Sequence, residues 1–368
     1  MEKSFNEQEN FAEQQNVAIE GEFKCPSCGA NMAFDPTVNQ LRCDYCGTVK
    51  DVARDTNVQE RDFADLSAHV FGSADQVKTI SCSNCGATEI LQKDAVALKC
   101  PFCDSPLVVD SEELNLVKPD SLVPFAFDGE SAKQRCSQWL KKRFFAPKSF
   151  KNIFNLKIPQ GVYYPIWTFD ANTSTDYDGR LGKTYTTTRT DSKGNTRTET
   201  HVRWFNVHGT RHDAFDDIVV NASKHVDDKT MEKLQPFPKD KYVVYSNEYL
   251  AGYFANLYTV DPFNAFKTAE EKMRASIRQS IISSYNADRE GYLNLFVSYI
   301  SKSFKSMLVP IYMTSTKYKE KWYSQYINGA TGKIVGKYPK SVGKILSVVL
   351  LGLGIVGALV YLIVRYGN

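Results

Sequence analysis

The most pronounced pattern in the sequence is a run of apolar residues near its C-terminal end. Residues 345–364 are twenty consecutive positions without a charged side chain. A helix rises 1.5 Å per residue, so this run spans about 30 Å, the thickness of the hydrocarbon core of a bilayer. Soluble helices seldom stay apolar on every face over such a length. The pattern predicts one transmembrane helix at 345–364, with only four residues beyond it.

The charges beside this run predict its orientation. Four lysines precede it and one arginine follows it: Lys333, Lys337, Lys340, Lys344 and Arg365. Positive flanks stay on the cytoplasmic side, so we expect a single-pass protein of the cell membrane whose N-terminal part is cytoplasmic. Gly354 and Ala358 lie one turn apart and permit close helix packing. A dimer or hetero-oligomer through this helix and a helix that faces only lipid both stay open.

Helical periodicity occurs twice upstream. Asp261 and Pro262 match an N-cap and a first helical position, and apolar residues follow at spacings of three or four. These are Phe263, Phe266, Ala269, Met273, Ile277 and Ile281. A second helix is predicted at 129–145, with an apolar stripe formed by Cys136, Trp139, Leu140 and Phe144.

Strand-like segments lie between and after these helices. They occupy 122–127, 161–170, 201–208 and 216–222, and a polar hairpin is predicted around the turn 192–195. Residues 307–338 match an antiparallel hairpin or meander that turns at Asn328-Gly329. Aromatic residues make up 12% of the chain, which favours a large β-rich core. The expected fold class is α+β multidomain, with an aromatic-rich antiparallel-sheet domain at 118–340.

The N-terminal third has a different character. Residues 1–22 are predicted to be a disordered acidic leader, because they offer too little apolar surface to offset the entropy of ordering. Two cysteine modules follow at 23–50 and 80–110, joined by a linker at 51–79 with a short helix predicted at 62–71. Their cysteines are Cys25, Cys28, Cys43 and Cys46, then Cys82, Cys85, Cys100 and Cys103.

The spacing of these cysteines predicts two structural zinc sites. Fourteen residues separate the two CxxC pairs in each module, enough for two short strands and a turn. A CxxC knuckle supplies two thiolates from one tight turn, and two knuckles complete the tetrahedron that Zn²⁺ prefers. No βαβ pattern supports a redox CxxC, and the ribbon spacing favours zinc over an iron–sulfur cluster. We therefore expect two zinc ribbons holding two structural Zn²⁺ ions.

Charge distribution bears on the partner of these ribbons. Residues 1–110 carry 9 Lys or Arg against 18 Asp or Glu, a net charge of −9, whereas residues 111–368 have a net charge of +12. Nucleic-acid binding needs clustered cations on the binding surface. The acidic balance favours protein docking by the ribbons and makes nucleic acid an unfavoured partner.

No combination of residues predicts an enzyme. The sequence has no HExxH, P-loop, GxSxG or GxGxxG motif. Asp213, Asp216 and Asp217 form an acidic cluster that matches either a solvated turn or a cation site, with the turn favoured. Cys136 fits a buried helix position better than a nucleophile. Arg189, Lys193, Arg197 and Arg203 surround the polar hairpin, either as a solvated face or as a contact for anionic lipid or an acidic partner.

Several local sequences carry a family resemblance. They include Tyr163-Tyr164-Pro165-Ile166-Trp167, Tyr249-Leu250-Ala251-Gly252-Tyr253 and Asn328-Gly329-Ala330-Thr331-Gly332. With the ribbons and the terminal anchor, they resemble bacterial membrane proteins labelled TFIIB-type zinc ribbon-containing, over residues 22–368. The resemblance implies no catalytic residues. It implies a role in recruiting PspA-like or SPFH proteins of envelope stress to the membrane.

Together these observations lead to two alternative functions. The first is a non-enzymatic, tail-anchored scaffold that holds soluble protein partners at the cytoplasmic face of the membrane. The alternative is a membrane-tethered regulator whose zinc ribbons bind nucleic acid. The net negative charge of the ribbon region favours the scaffold.

Overall fold

A computed structural model describes most of the chain. The described residues are 23–66, 76–81, 88–90, 98–99, 106–107, 112–115, 117–154, 158–190, 196–223, 226–256, 258–319 and 321–366. The predicted leader at 1–22, the turn at 192–195 and the four cysteines of the second module lie outside these residues.

The first cysteine module folds as a small antiparallel sheet. Its strands are β1 (Ala33–Asp35), β2 (Gln40–Arg42) and β3 (Val49–Asp51), in the order β1-β2-β3. Phe34 pairs with Leu41 across the first two strands, and both side chains are buried. Strands β1 and β2 lie in the insert between the two CxxC pairs, and β3 follows the second pair. Their pairing brings the two knuckles together.

The following segment joins the main sheet instead of forming only a linker. Strand β4 (Arg61–Asp62) pairs with the main sheet and runs into a 3₁₀ turn at Phe63–Asp65. Asp62 caps this turn by accepting a hydrogen bond from the Ala64 amide. The turn lies where the short helix was predicted, and the rest of that prediction falls on residues outside the described ranges.

Five short strands come next along the chain. They are β5 (Gln76–Ser81), β6 (Thr88–Ile90), β7 (Leu98–Lys99), β8 (Pro106–Leu107) and β9 (Glu112–Asn115). Strands β6, β5 and β9 form one antiparallel sheet, and β7 pairs with β8.

The main sheet is dominated by three very long strands. Besides β4, its members are β10 (Ser121–Leu122), β11 (Gln160–Thr190), β12 (Thr196–Asn221), β13 (Val243–Val244), β14 (Phe254–Ala255), β15 (Arg289–Tyr318), β16 (Lys321–Asn328) and β17 (Ile334–Gly336). Strand β11 is antiparallel to both β12 and β15, and β15, β16 and β17 form the predicted meander. At about 3.3 Å per residue, the 31 residues of β11 extend roughly 100 Å. The prediction of an α+β fold with an antiparallel sheet is confirmed.

Five helices complete the described chain. They are α1 (Gly129–Lys141), α2 (Lys148–Phe154), α3 (Asp228–Leu234), α4 (Pro262–Ser284) and α5 (Val342–Tyr366). Helix α4 begins as predicted, since the Asp261 side chain accepts hydrogen bonds from the amides of Phe263 and Asn264. The predicted apolar stripe from Phe266 to Ile281 is buried, whereas its first member, Phe263, is 38% exposed.

Two predicted elements are shorter in the structure. The helix expected at 129–145 ends at Lys141, and Phe144 is 61% exposed instead of completing the apolar stripe. Pro147 disfavours helical conformation in the residue before it, which accounts for the break between α1 and α2. The strand expected at 122–127 is limited to Ser121–Leu122, because Pro124 has no amide hydrogen to donate to a sheet.

Aromatic residues fill the core, as the composition suggested. Trp167, Tyr258 and Tyr312 are almost completely buried. Their polar groups are satisfied by main-chain carbonyls: Trp167 Nε1 donates to Val260, the Tyr258 hydroxyl to Met307 and the Tyr312 hydroxyl to Phe127. Buried aromatic rings with paired polar atoms give a core that is both apolar and specific in its packing.

Candidate metal centre

The structure brings the four cysteines of the first module together. Their sulfur atoms all lie within 4.8 Å of one another. The Sγ atoms of Cys25 and Cys46 are 3.4 Å apart, and those of Cys28 and Cys43 are 3.5 Å apart. A disulfide would require about 2.05 Å, so these are separate thiols.

The local backbone explains why each CxxC pair points inward. The Gly29 amide donates to the Cys25 carbonyl at 2.9 Å, and the Gly47 amide donates to the Cys43 carbonyl at 2.8 Å. Both glycines adopt positive φ, at +74° and +77°. Non-glycine residues are strained in this region, so glycine at these two positions allows the tight knuckle turn.

The donor set fits a tetrahedral metal ion. Zinc–sulfur bonds of about 2.3 Å place neighbouring sulfurs of a tetrahedron about 3.8 Å apart, close to the spacing found here. Cys25 and Cys43 are buried, while Cys28 and Cys46 are exposed, so one side of the cluster is protected and the other is accessible. Four protein thiols leave no open coordination position, which is typical of a structural site and unlike a catalytic one.

Hydrogen bonds around the sulfurs prepare the cluster for an ion. Burial acts to raise the pKa of the Cys25 thiol, but the main-chain amides of Ser27 and Cys28 outweigh it and lower the pKa to about 6. The Ala30 amide acts to lower the pKa of Cys28, but hydrogen bonds with the other sulfurs raise it to about 12. A metal ion that binds all four sulfurs must therefore displace protons, so its affinity increases with pH.

The metal module is packed firmly against the main domain. The Phe34 amide donates to the Ala251 carbonyl at 2.9 Å, and the Phe34 ring lies 5.0 Å from the ring of Tyr249. Lys50 forms an ion pair with Glu248 at 3.2 Å. Main-chain, aromatic and ionic contacts thus fix the first cysteine module to the segment 248–251.

The second module can be compared only in part. Its ligand candidates Cys82, Cys85, Cys100 and Cys103 lie outside the described residues. One cluster of four cysteines is therefore present in the described part of the chain, and the second site stays a prediction. Cys136 is buried in α1, and burial raises the pKa of its thiol to about 12, in keeping with an apolar packing position.

The acidic cluster near Asp217 corrects the prediction of a solvated turn. Asp216 is exposed, but Asp217 is buried beneath it and adopts a left-handed φ of 56°. The Lys305 ammonium lies 2.7 Å from Asp217 and 3.0 Å from Glu60. Glu60, Asp170 and Asp216 are close enough to hold a metal ion, yet the lysine side chain already supplies a cation there.

This charge network was not predicted from the sequence. Its members are distant along the chain, and an isolated Glu60 in a polar segment gives no signal of burial or pairing. A lysine at position 305, just before the apolar run 307–313, is the one feature of the sequence that indicates a buried cation.

The C-terminal helix has the exposure expected of a membrane span. Val342–Ile363 is the single helix in the described ranges that is long and apolar enough to cross a bilayer, and none of it is buried. Of the predicted flanking residues, Lys340 precedes the helix, Lys344 lies in its first turn and Arg365 in its last. Lys344 donates hydrogen bonds to the carbonyls of Phe144 and Ala146, at 2.8 and 2.9 Å, and so ties the start of the helix to the main domain.

Comparison with known proteins supports the predicted family resemblance in part. The chain is 30% identical to "Uncharacterized protein YdjG" of Bacillus subtilis (strain 168) over 335 residues, which cover 88% of this chain and 91% of that protein. No protein-family model and no solved structure matches the chain. The TFIIB-type zinc-ribbon label therefore stays a prediction. This identity over most of both chains shows that the chain belongs to the YdjG family.

Proposed function

We propose that this protein is a non-enzymatic scaffold, anchored in the cell membrane by α5, that uses zinc ribbons to hold soluble protein partners at the cytoplasmic face. The observation that carries the proposal is the first cysteine cluster. It has four thiols and no open position, and it is packed against a domain tied to the apolar helix. Such a closed site stabilises a fold and does not activate a substrate.

Two Zn²⁺ ions are proposed, one in each module. Cys25, Cys28, Cys43 and Cys46 would hold the first ion, and the spacing repeats at Cys82, Cys85, Cys100 and Cys103. When bound, each ion supplies folding energy to a module too small to have a large core. The CxxC pairs, whose spacing suits metal ligands of a reducing compartment, and the lysines before α5 both support a cytoplasmic location for the modules.

The partner class follows from charge and from the family resemblance. The ribbon region is acidic, so a basic or neutral protein surface suits it better than a phosphate backbone. The resemblance suggests PspA-like or SPFH proteins, which would place the scaffold in the response to envelope stress.

A crosslinked pull-down from solubilised membranes tests the proposal. The tagged full-length protein is compared with a variant in which Cys25, Cys28, Cys82 and Cys85 are changed to Ser. A Cys136→Ala variant serves as the matched control, because it removes a buried cysteine but keeps all eight proposed ligands. Zinc content, bound protein and bound nucleic acid are measured in each sample.

The expected result is about two zinc ions per chain and a stoichiometric protein partner in the wild type and the control. The four-serine variant should lose the zinc and the partner together. Nuclease-sensitive DNA or RNA without a protein partner would instead support the membrane-tethered nucleic-acid-binding regulator. A partner retained after loss of zinc would place docking outside the ribbons.

A further inference from the structure

The junction between α1 and α2 carries an unexplained surface, which we call the basic corner and define as residues 141–151. Its outward side chains combine charge with apolar bulk. Lys141, Lys142 and Lys148 are exposed, and Phe144 is 61% exposed at the point of the turn. An exposed aromatic side chain among lysines is a combination that suits a boundary between water and an apolar phase.

The basic corner is held against the start of α5. Besides the two hydrogen bonds from Lys344 to the carbonyls of Phe144 and Ala146, the Ser341 amide donates to the Phe145 carbonyl at 2.8 Å. Three bonds therefore join three successive carbonyls to the first turn of the apolar helix. If α5 crosses a bilayer, the corner must lie at the level where that helix enters it.

The rest of the corner is braced by the main sheet. The Ser149 hydroxyl lies 2.9 Å from the Tyr318 hydroxyl, and the Phe150 ring packs edge-on against Tyr318 and Tyr323. On the other side, Trp139 packs edge-on against Tyr338, with the guanidinium of Arg143 over the Trp139 ring. These contacts hold the segments on both sides of Phe144, and the Lys344 ammonium lies 5.3 Å from the centre of the Phe144 ring, so the ring lies beside the first turn of α5.

The charge around the corner has one sign. No Asp or Glu occurs from residue 131 to residue 169, a stretch with eight Lys or Arg, and none occurs after Glu320. Lys151 lies close to Lys344, and burial and this second cation together lower the pKa of Lys151. Among the described residues, no salt bridge joins Lys141, Lys142 or Lys148 to an acidic side chain, and such a local excess of cations is complementary to an anionic surface.

The geometry points to the basic corner as a second membrane contact, in which Phe144 enters the lipid interface and Lys141, Lys142 and Lys148 bind anionic lipid headgroups. This inference rests on the proposed anchoring by α5 and adds to it a fixed orientation of the cytoplasmic domain. A single apolar helix can tilt in the bilayer together with the domain tied to it, whereas a second contact braced by the sheet restricts that tilt. Each lysine near an anionic surface strengthens the attraction roughly fivefold.

A pair of tryptophan variants tests the contact in the full-length protein. Phe144→Trp places a fluorophore at the corner, and Phe296→Trp places one at an equally exposed position, 62%, on β15. Phe296 lies 22 residues from Tyr318, or roughly 70 Å along the strand. Each variant and the wild type are placed in phosphatidylglycerol nanodiscs, with and without bromine on the acyl chains, because bromine quenches tryptophan only at close range.

The expected result is strong quenching of Phe144→Trp beyond the wild type and none of Phe296→Trp. Adding K141Q, K142Q and K148Q, or replacing phosphatidylglycerol with phosphatidylcholine, should reduce that quenching. Equal quenching at the two positions, or none at Phe144→Trp, would refute the membrane contact of the basic corner. If the protein still migrates with the discs, anchoring by α5 is unaffected by that result. If the protein does not migrate with the discs, the proposed membrane anchoring by α5 is wrong, and so is the membrane contact of the basic corner that rests on it.

Discussion

Lys305 is a buried cation in the main sheet, and replacing it gives the sharpest test of the structure. Only 6% of its side chain is exposed, and its ammonium lies 2.7 Å from Asp217, 3.0 Å from Glu60 and 3.9 Å from Asp170. We consider Lys305→Met, which keeps most of the side-chain length and removes the charge. The change leaves three carboxylates close together without the cation that links them.

The expected cost follows from these distances. At an effective dielectric constant of about 20, a charge pair at 2.7 Å is attracted by roughly 6 kcal/mol, part of which offsets the desolvation of both groups. Removing one partner of a buried pair costs about 3–5 kcal/mol, because the other charge stays buried. The melting temperature should fall by roughly 5–15 °C. Lys239→Met is the matched control, since Lys239 contacts the same Asp217 at 3.0 Å but is 50% exposed. It should lower the free energy of unfolding by no more than about 1 kcal/mol.

Thermal unfolding of the full-length protein in mild detergent measures both variants, followed by tryptophan fluorescence, to which the buried Trp167 contributes. The loss of melting temperature caused by Lys305→Met should be larger at pH 8 than at pH 5, because the unpaired carboxylates take up protons as the pH falls. Equal losses for the two lysine variants would refute the argument that burial sets the cost. A deficit independent of pH would show that packing, and not charge, had been lost.

Three further predictions concern other positions. Gly252→Ala should loosen the first cysteine module, because Gly252 has a φ of +84° and an added Cβ would lie 2.8 Å from the Cβ of Ala33. Exchange of the Phe34 amide hydrogen, measured by mass spectrometry, should become about tenfold faster or more, and an unchanged rate would contradict the docking. Gly29→Ala should lower zinc affinity roughly fivefold, measured by competition with a chelator. The cause would be the positive φ at this position, because an added Cβ would meet nothing within 4 Å. Equal affinity of the variant and the wild type would show that the knuckle turn is not strained by alanine. Burial and the neighbouring Glu60 raise the pKa of Asp170 to about 7, against about 3.9 in an unfolded chain. Between these two values the folded state binds more protons than the unfolded state. The contribution of Asp170 to the free energy of unfolding therefore falls as the pH rises from about 4 to about 7. The melting temperature of Asp170→Asn relative to wild type should therefore be higher at pH 7.5 than at pH 4.5, and the reverse order would contradict the raised pKa.

Local sequence patterns predicted the elements whose causes are local. The apolar run 345–364 lies within α5, the Asp261 cap starts α4, and the CxxC spacing matches a cluster in the first module. Each of these depends on residues within a few turns or within one short module. Periodicity and ligand spacing carry that information directly.

The features that were missed depend on residues far apart in the chain. Glu60, Asp170 and Lys305 come from three separate segments, and only the pairing of β4, β11 and β15 brings them together. The predicted strands 161–170, 201–208 and 216–222 were pieces of two strands of 31 and 26 residues, because polar residues interrupt the apolar pattern without ending the hydrogen-bonded ladder. Sequence periodicity reports where side chains are buried and does not report where backbone pairing continues.

The contacts between elements also explain how loss of metal at a small site can affect the region near α5. The first cysteine module is bound to the segment 248–251, and that segment leads into β14, which pairs with the start of β11. The start of β11 pairs with the end of β15, which packs on α2 beside the first turn of α5. A continuous series of hydrogen-bonded and packed elements therefore joins the metal cluster to the apolar helix. The far ends of β11, β12 and β15 extend away from this series, so loss of zinc should disturb the region near α5 before it disturbs the distal hairpin.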